Sequence, residues 1–336
     1  MLTPPQYGSL SLRNGTLAFM FRKPLLALLL AVFAAPALPA QQTHNDAALA
    51  AQLQSLIAPF HGKVSVYAHD LATGQTVEID DDQPVPTAST IKLTILYTAL
   101  QEIRAGRLGF TDPITLLHED KVPGSGVLLF FDTPLHLNVK DTLTLMINQS
   151  DNTATNLMID RLGLKTIDDQ IVALGLKNTW LYKKVYRSAV GPAPADQPQY
   201  GLGKTTAREM GGLMERFVTC ALGPKPDAPE GVDVPSDADL CAAAMHMLRT
   251  QSDRDGIPRY LESLDTTEGQ SAIANKTGAI DHARSDVGAI YTPKGVIVLS
   301  VYTHDNENTS WTADNPALIL IAKIAKTVVD QWAPGS

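Results

Sequence analysis

Strand-like sequence sits at both ends of the chain, with helix-like sequence between. "KVSVYAHDLATGQTVEID" (63–80) reads as two strands joined by a turn at Thr73-Gly74. Far away, "SAIANKT", "SDVGAIYT" and "GVIVLSVYT" read as three more, with a turn at Pro293-Lys294-Gly295. The simplest architecture is one antiparallel sheet built from both termini, with terminal helices on it and a helical insertion. "DAALAAQLQSLIAPF" and "NPALILIAKIAKTVVDQW" supply the terminal helices. A cleft between sheet and insertion is the natural place for a site.

The middle can be read further. Pro84 and Pro86 break the chain, and Thr87 is a candidate N-cap for a helix from about Ala88 to Gly106. "KDTLTLMINQSDNTATNLMIDRLG" predicts a helix interrupted by the polar "QSDN". Residues 182–204 lack periodicity, and helices are expected at about 206–219 and 239–250. The boundaries expected are 1–40 for an N-terminal extension and signal, and 41–336 for one catalytic domain. Within the latter, 41–87 and 270–336 form the α/β part and 88–269 the helical part.

"MFRKPLLALLLAVFAAPALPAQQ", from Met20, has the order of a secretory signal: Arg22 and Lys23, an apolar run, then small residues. Ala37 and Ala40 are the candidate cleavage positions, and Met20 is the expected start. The run is short for a full membrane span. A periplasmic or secreted protein is expected, with no stable membrane insertion after cleavage. The net charge of −8 argues against nucleic acid or anionic membrane as a partner. Export permits a disulfide between Cys220 and Cys241, which would staple the helices flanking a Pro-, Gly- and Asp-rich loop; two buried thiols are the alternative.

One string inside the first expected core helix carries chemistry. "PTASTIKLTIL" (86–96) places Ser89 and Lys92 three residues apart, on one helix face. A serine hydroxyl is a poor nucleophile until a neighbour takes its proton. Lysine can do so if burial or positive neighbours lower its pKa. A helix N-terminus adds N–H groups suited to a developing oxyanion. Alone, S-x-x-K is weak, since about one arises by chance in such a chain. Yet Ser150-Asp151-Asn152 and Lys276-Thr277-Gly278 follow in order. Finding all three by accident has a probability of about one in a thousand.

Together these strings resemble the S-x-x-K, S-D-N, K-T-G set of class A serine β-lactamases and penicillin-binding proteins. The resemblance covers nearly all of the chain after the signal and implies an α+β fold of the β-lactamase/transpeptidase type. It implies Ser89 as the acylated nucleophile, Lys92 as its proton acceptor, and Ser150 as proton relay to the leaving nitrogen. Asn152 would bind the substrate amide. Lys276 would support Ser150 and hold the substrate carboxylate, with Thr277 and Gly278 beside it. The N–H groups of Ser89 and Ala279 would form the oxyanion hole. Arg284 is a further candidate for the carboxylate; a surface arginine at a strand start is the alternative. No cofactor or metal is implied.

The resemblance fails at one place. Class A enzymes carry a glutamate, in an E-x-x-L-N setting, that activates the deacylating water. Residues 182–204 contain no glutamate, and Asp196 is their only carboxylate. Asp196 could be a substitute base, but a solvated loop residue is the better reading. Glu209 stands in Thr206-x-x-Glu209, the spacing of a helix capping box. The acidic residue expected before the family's T-T pair is Lys204 here. Deacylation, not acylation, is therefore in question. Three activities follow: an exported β-lactamase-type hydrolase, a D-alanyl-D-alanine peptidase-like enzyme with slow release, or a non-catalytic β-lactam-binding protein. A zinc hydrolase is disfavoured, because no H-x-x-x-H or H-E-x-x-H pair occurs. No G-x-S-x-G, P-loop or dinucleotide fingerprint is present either, and "PGSG" (123–126) reads as a turn.

Overall fold

The computed structural model describes residues 43–189, 194–264 and 271–336. The segment read as a signal, and the 40/41 boundary, lie outside the described residues. Strand β1 (His44–Asn45) leads to helix α1 (Ala47–Ile57), where Asp46 accepts from Leu49 N. Strands β2 (Lys63–Asp70) and β3 (Gln75–Ile79) turn at Gly74, where φ is +78°. Strand β4 (Val85–Pro86) and a 3-10 turn (Ala88–Ile91) precede α2 (Lys92–Arg104). A ribbon of β5 (Pro113–Leu116) and β6 (Leu135–Asn138) comes before α3 (Val139–Asn148), α4 (Asn152–Leu162) and α5 (Leu164–Ala173). Then β7 (Trp180–Leu181), α6 (Gln197–Tyr200) and β8 (Gly203–Thr205) lead to α7 (Ala207–Val218) and α8 (Asp237–Arg249). The chain closes with β9 (Ile273–Ile280), β10 (Ala283–Thr292), β11 (Gly295–His304) and α9 (Pro316–Trp332).

The main sheet runs β1-β3-β2-β11-β10-β9, so both ends of the chain supply it. Val66 faces Val301 and Ala68 faces Leu299 across the β2–β11 pair. All pairs are antiparallel except β1 on β3, a two-residue parallel edge that strand periodicity could not reveal. Alternation along each strand sorts side chains to two faces. Val64, Val66, Leu299 and Val301 pack beneath α1 and α9, with Leu53, Ile321 and Val328. Tyr67, Val287, Val298 and Tyr302 face the helical core with Ile95, Leu143 and Phe217. The sheet thus lies between two apolar layers.

Helix α2 runs through the helical core. Every residue of it except Glu102 is buried, and the polar Thr94, Thr98 and Gln101 among them donate to the carbonyls of Ile91, Thr94 and Leu222. It starts later than the sequence predicts, because 88–91 is a 3-10 turn. Thr87 makes no side-chain cap. Its amide and hydroxyl both donate to Gly203 O, at 2.9 and 3.1 Å, so β8 rather than a cap fixes the entry. The predicted break at "QSDN" separates α3 from α4. Cys220, just beyond α7, is disulfide-bonded to Cys241 in α8. The buried Arg104 ties down the loop between them, donating to Asp237 and to the carbonyls of Leu222, Gly223 and Pro224.

Candidate active site

Three elements converge between the sheet and the helices: the start of α2, the turn before α4, and edge strand β9. Ala88 and Ser150 are non-glycine residues in the left-handed region, with φ of +44° and +50°. Such positions cost about 1–3 kcal/mol each and persist only where the surroundings over-determine them. One directly precedes Ser89, and the other is Ser150.

Lys92 and Lys276 are both fully buried. Lys92 Nζ lies 2.6 Å from Ser150 O, 3.0 Å from Ser150 Oγ and 3.1 Å from Asn152 Oδ1. Lys276 Nζ lies 3.1 Å from the same Ser150 Oγ and 2.9 Å from Thr277 O. Two amines therefore meet at one hydroxyl. Burial drives Lys92 well below its ordinary value, and the positive charge of Lys276 pushes the same way, against Asp151. Burial lowers Lys276 to about 8, opposed by Asp253 and Asp286. As a neutral amine, Lys92 has two hydrogens for Ser150 O and Asn152 Oδ1, which leaves its lone pair for a hydroxyl proton.

The middle residue of S-D-N does work that the sequence did not assign. Asp151 Oδ1 caps α4 through Ala154 N at 2.9 Å. Its Oδ2 accepts from Val127 N and Leu128 N at 2.7 and 2.8 Å. It thereby pins the "PGSG" loop against the site. Asn152 holds the same loop, donating Nδ2 to Pro123 O at 3.1 Å and its amide to Ser125 O at 3.0 Å. That segment is a bent loop, and it walls the cleft through Gly124 and Ser125. A Cβ at Gly124 would meet Asn152 Nδ2 at 2.7 Å.

Lys276-Thr277-Gly278 lies within β9, which continues to Ile280, beyond the strand read at "SAIANKT". Gly278 passes close to the candidate nucleophile: a Cβ there would meet Ser285 Oγ at 2.5 Å, Thr87 O at 3.0 Å and Ser89 N at 3.2 Å. Only glycine lets β9 approach the Ser89 backbone this closely. Ala279 is next along this edge, opposite Arg284 on β10.

Ser89 is half-buried and stands between two lobes of one cleft. The larger, about 660 Å³, also contains Asn152, Val185, Leu202 and Ile280. The smaller, about 270 Å³, contains Ser150, Thr277, Arg284 and Ser285. Arg284 lines this lobe, but it is buried rather than a surface residue. Its guanidinium donates to the carbonyls of Ile280, Ala283 and Ser310 and stacks on Trp311. Much of its hydrogen-bonding capacity is thus committed within the protein.

The outer wall holds no carboxylate base over Ser89 among the described residues. Asp196 accepts from Tyr182 Oη at 2.9 Å and pairs with Lys204 Nζ, whose hydrogen bond holds it below the usual carboxylate range. It does not line the cleft. Val185 does; Asn156 grips its backbone, donating to its carbonyl at 3.0 Å and accepting from its amide at 2.8 Å. Glu209 accepts from Asn178 N and Thr179 Oγ1, at 2.9 and 2.6 Å. Thr206 accepts from Glu209 N at 3.1 Å, so Thr206 caps α7 while the Glu209 carboxylate ties down the 178–179 turn. Among the described residues there is no group of three or more His, Cys, Asp or Glu side chains that could hold a metal.

This arrangement can be set beside known proteins. The model of a family described as "Beta-lactamase enzyme family" matches residues 48–332. The chain belongs to that family. The crystal structure of a β-lactamase from Sphaerobacter thermophilus superposes with a TM-score of 0.70 at 28% identity, over 85% of this chain and 97% of that one. PBP-A superposes with a TM-score of 0.68 at 23% identity, over 86% of this chain and 97% of that one. A mutant of it was solved as an acyl-enzyme complex with penicillin G. The β-lactamase regulatory protein BlaB of Streptomyces cacaoi is 23% identical over 80% of this chain and 92% of its own length. The fold is accordingly of the β-lactamase/transpeptidase type, and the protein is a serine β-lactamase-like enzyme. No helix among the described residues is long and apolar enough to cross a membrane.

Proposed function

We propose that the protein is an exported serine hydrolase that opens β-lactam amides through an acyl-enzyme on Ser89 and releases the product slowly. The carrying observation is the convergence of two fully buried lysines on Ser150 Oγ, at 3.0 and 3.1 Å, with Ser150 lining the same lobe of the cleft as Ser89. In the first step Ser89 Oγ attacks the carbonyl carbon and its proton passes to Lys92 Nζ. The carbonyl oxygen takes the negative charge, facing the N–H groups of Ser89 and Ala279. The C–N bond then breaks. The nitrogen takes its proton from Ser150 Oγ, which is reprotonated from Lys92. Lys276, still charged at neutral pH, stabilises Ser150 and holds the ligand carboxylate with Thr277.

Release needs a water and a base. With no carboxylate base over Ser89 among the described residues, Lys92 serves both steps, and the acyl-enzyme persists. This favours a penicillin-binding peptidase-like balance of rates, and D-Ala-D-Ala-type peptides are the second substrate class. Export rests on the segment from Met20 and on the disulfide. Intact-mass spectrometry after mixing with benzylpenicillin is the test. A lasting adduct on Ser89, absent in Ser89→Ala, is expected. Steady hydrolysis in large excess over enzyme would refute slow release. No adduct and no turnover, with Ser89→Ala behaving as the parent, would refute the catalytic assignment. A D-Ala-D-Ala peptide assay reads out the peptidase activity.

A further inference from the structure

The two lobes differ in charge as well as size. The leaving nitrogen must meet Ser150, which lines the smaller lobe. By exclusion the acyl side chain of a ligand bound to Ser89 lies in the larger one. That lobe is walled by Val185, Leu202, Ile280 and Trp311, with the exposed Tyr186 at the rim. Among the described residues, Lys183 is the only acidic or basic side chain lining it. The smaller lobe carries Asp253, Asp255 and Arg284.

Lys183 is half-buried, and among the described residues its Nζ makes no ion pair. Its neighbour Lys184 is committed to Asp160 at 2.7 Å. As its described residues line it, this is an apolar chamber with one cation and no carboxylate, which suits an apolar group that also carries negative charge. We infer that Lys183 makes the larger lobe selective for acyl side chains bearing a carboxylate over those bearing an ammonium. This specificity assignment rests on acylation at Ser89 as proposed above.

Three penicillins separate the possibilities, because they share a nucleus and a phenyl group. Benzylpenicillin has an α-hydrogen, ampicillin an α-amino group and carbenicillin an α-carboxylate. Second-order acylation rates are read by competition with a fluorescent penicillin on the full chain. The carbenicillin-to-ampicillin ratio is expected to fall about fivefold in Lys183→Gln and about twentyfold in Lys183→Glu, as one partly exposed ion pair allows. In the parent protein the same ratio should fall as salt is raised from about 20 to about 500 mM. A ratio within twofold of the parent in Lys183→Glu, while benzylpenicillin still labels Ser89, overturns the inference and leaves the acylation reading standing. A parent ratio that is flat across salt overturns it too. No labelling by any of the three penicillins refutes acylation itself, and the selectivity with it.

Discussion

The floor of the cleft and its outer wall are built on opposite plans. The floor is buried and saturated with hydrogen bonds: Lys92, Lys276, Asp151 and Asn152 bind one another's elements over short distances. The described part of the wall, 182–189 and 194–204, consists of short elements with mostly half-buried or exposed side chains. It is held by a few ties, from Asn156 to Val185 and from Tyr182 and Lys204 to Asp196. Forming the acyl bond needs desolvated amines at fixed positions, and only a rigid interior supplies them. In the proposed mechanism, releasing the acyl group depends on which side chain the wall presents. The two halves of a hydrolytic cycle can therefore vary separately.

Four experiments would break or sharpen this contrast. The largest effect is expected on the floor. Lys92→Met should slow penicillin acylation about a thousandfold, within the range for loss of a general base; stopped-flow labelling measures it. On the wall, Val185→Glu places a carboxyl in the lobe above Ser89. It should shorten the acyl-enzyme lifetime about a hundredfold with much less effect on its formation, as followed by mass spectrometry after removal of free ligand. An unchanged lifetime would show that the wall does not set release.

The third experiment is a pH profile. Burial lowers Lys276 to about 8, and in the proposed mechanism it acts charged, supporting Ser150 and the ligand carboxylate. Acylation should fall up to about tenfold per pH unit above that value. Stability linkage runs the other way. The ordinary lysine value is 10.5, so between about 8 and 10.5 the unfolded chain holds this proton more tightly than the folded one. The contribution of Lys276 to stability therefore rises with pH across that window. Parallel labelling and urea titrations should show activity and this contribution moving in opposite directions. The fourth experiment leaves the cleft. Replacing Cys220 and Cys241 with serine releases a crosslink spanning 21 residues and should lower stability by about 3 kcal/mol. Acylation at 25 °C should stay within twofold, because the crosslink touches neither floor nor wall.

Much of the fold was legible because its signals are local. Alternation marked β2, β3 and β9 to β11, and the polar "QSDN" marked the break between α3 and α4. The separation of Ser89, Ser150 and Lys276 in sequence does not reveal that both lysines meet at Ser150; only the packing of α4 and β9 against α2 does. Asp151 was hidden by its neighbours, since its ligands are backbone amides of Val127 and Leu128, which have no side-chain signature. Thr87 looked like a cap because threonine often is one, but the nearby Gly203 carbonyl takes its hydroxyl hydrogen. Arg284 looked like a surface residue or a free guanidinium; the carbonyls that engage it come from a β-turn and from the loop at Ser310. Neither could be placed without the fold.

The composition of the main sheet also bears on how the chain is made. β2 pairs with β11, His69 opposite Val298, so its partner is synthesised more than two hundred residues later. Until then β2 has one open edge and an apolar face with nothing to cover it. Contacts of such sequence separation form slowly and late. Emerging from a ribosome, the chain cannot complete its sheet, nor bring β9 to the start of α2, before its last strands exist. A polypeptide that stays unfinished until its end is released is one that can still be threaded through a narrow pore.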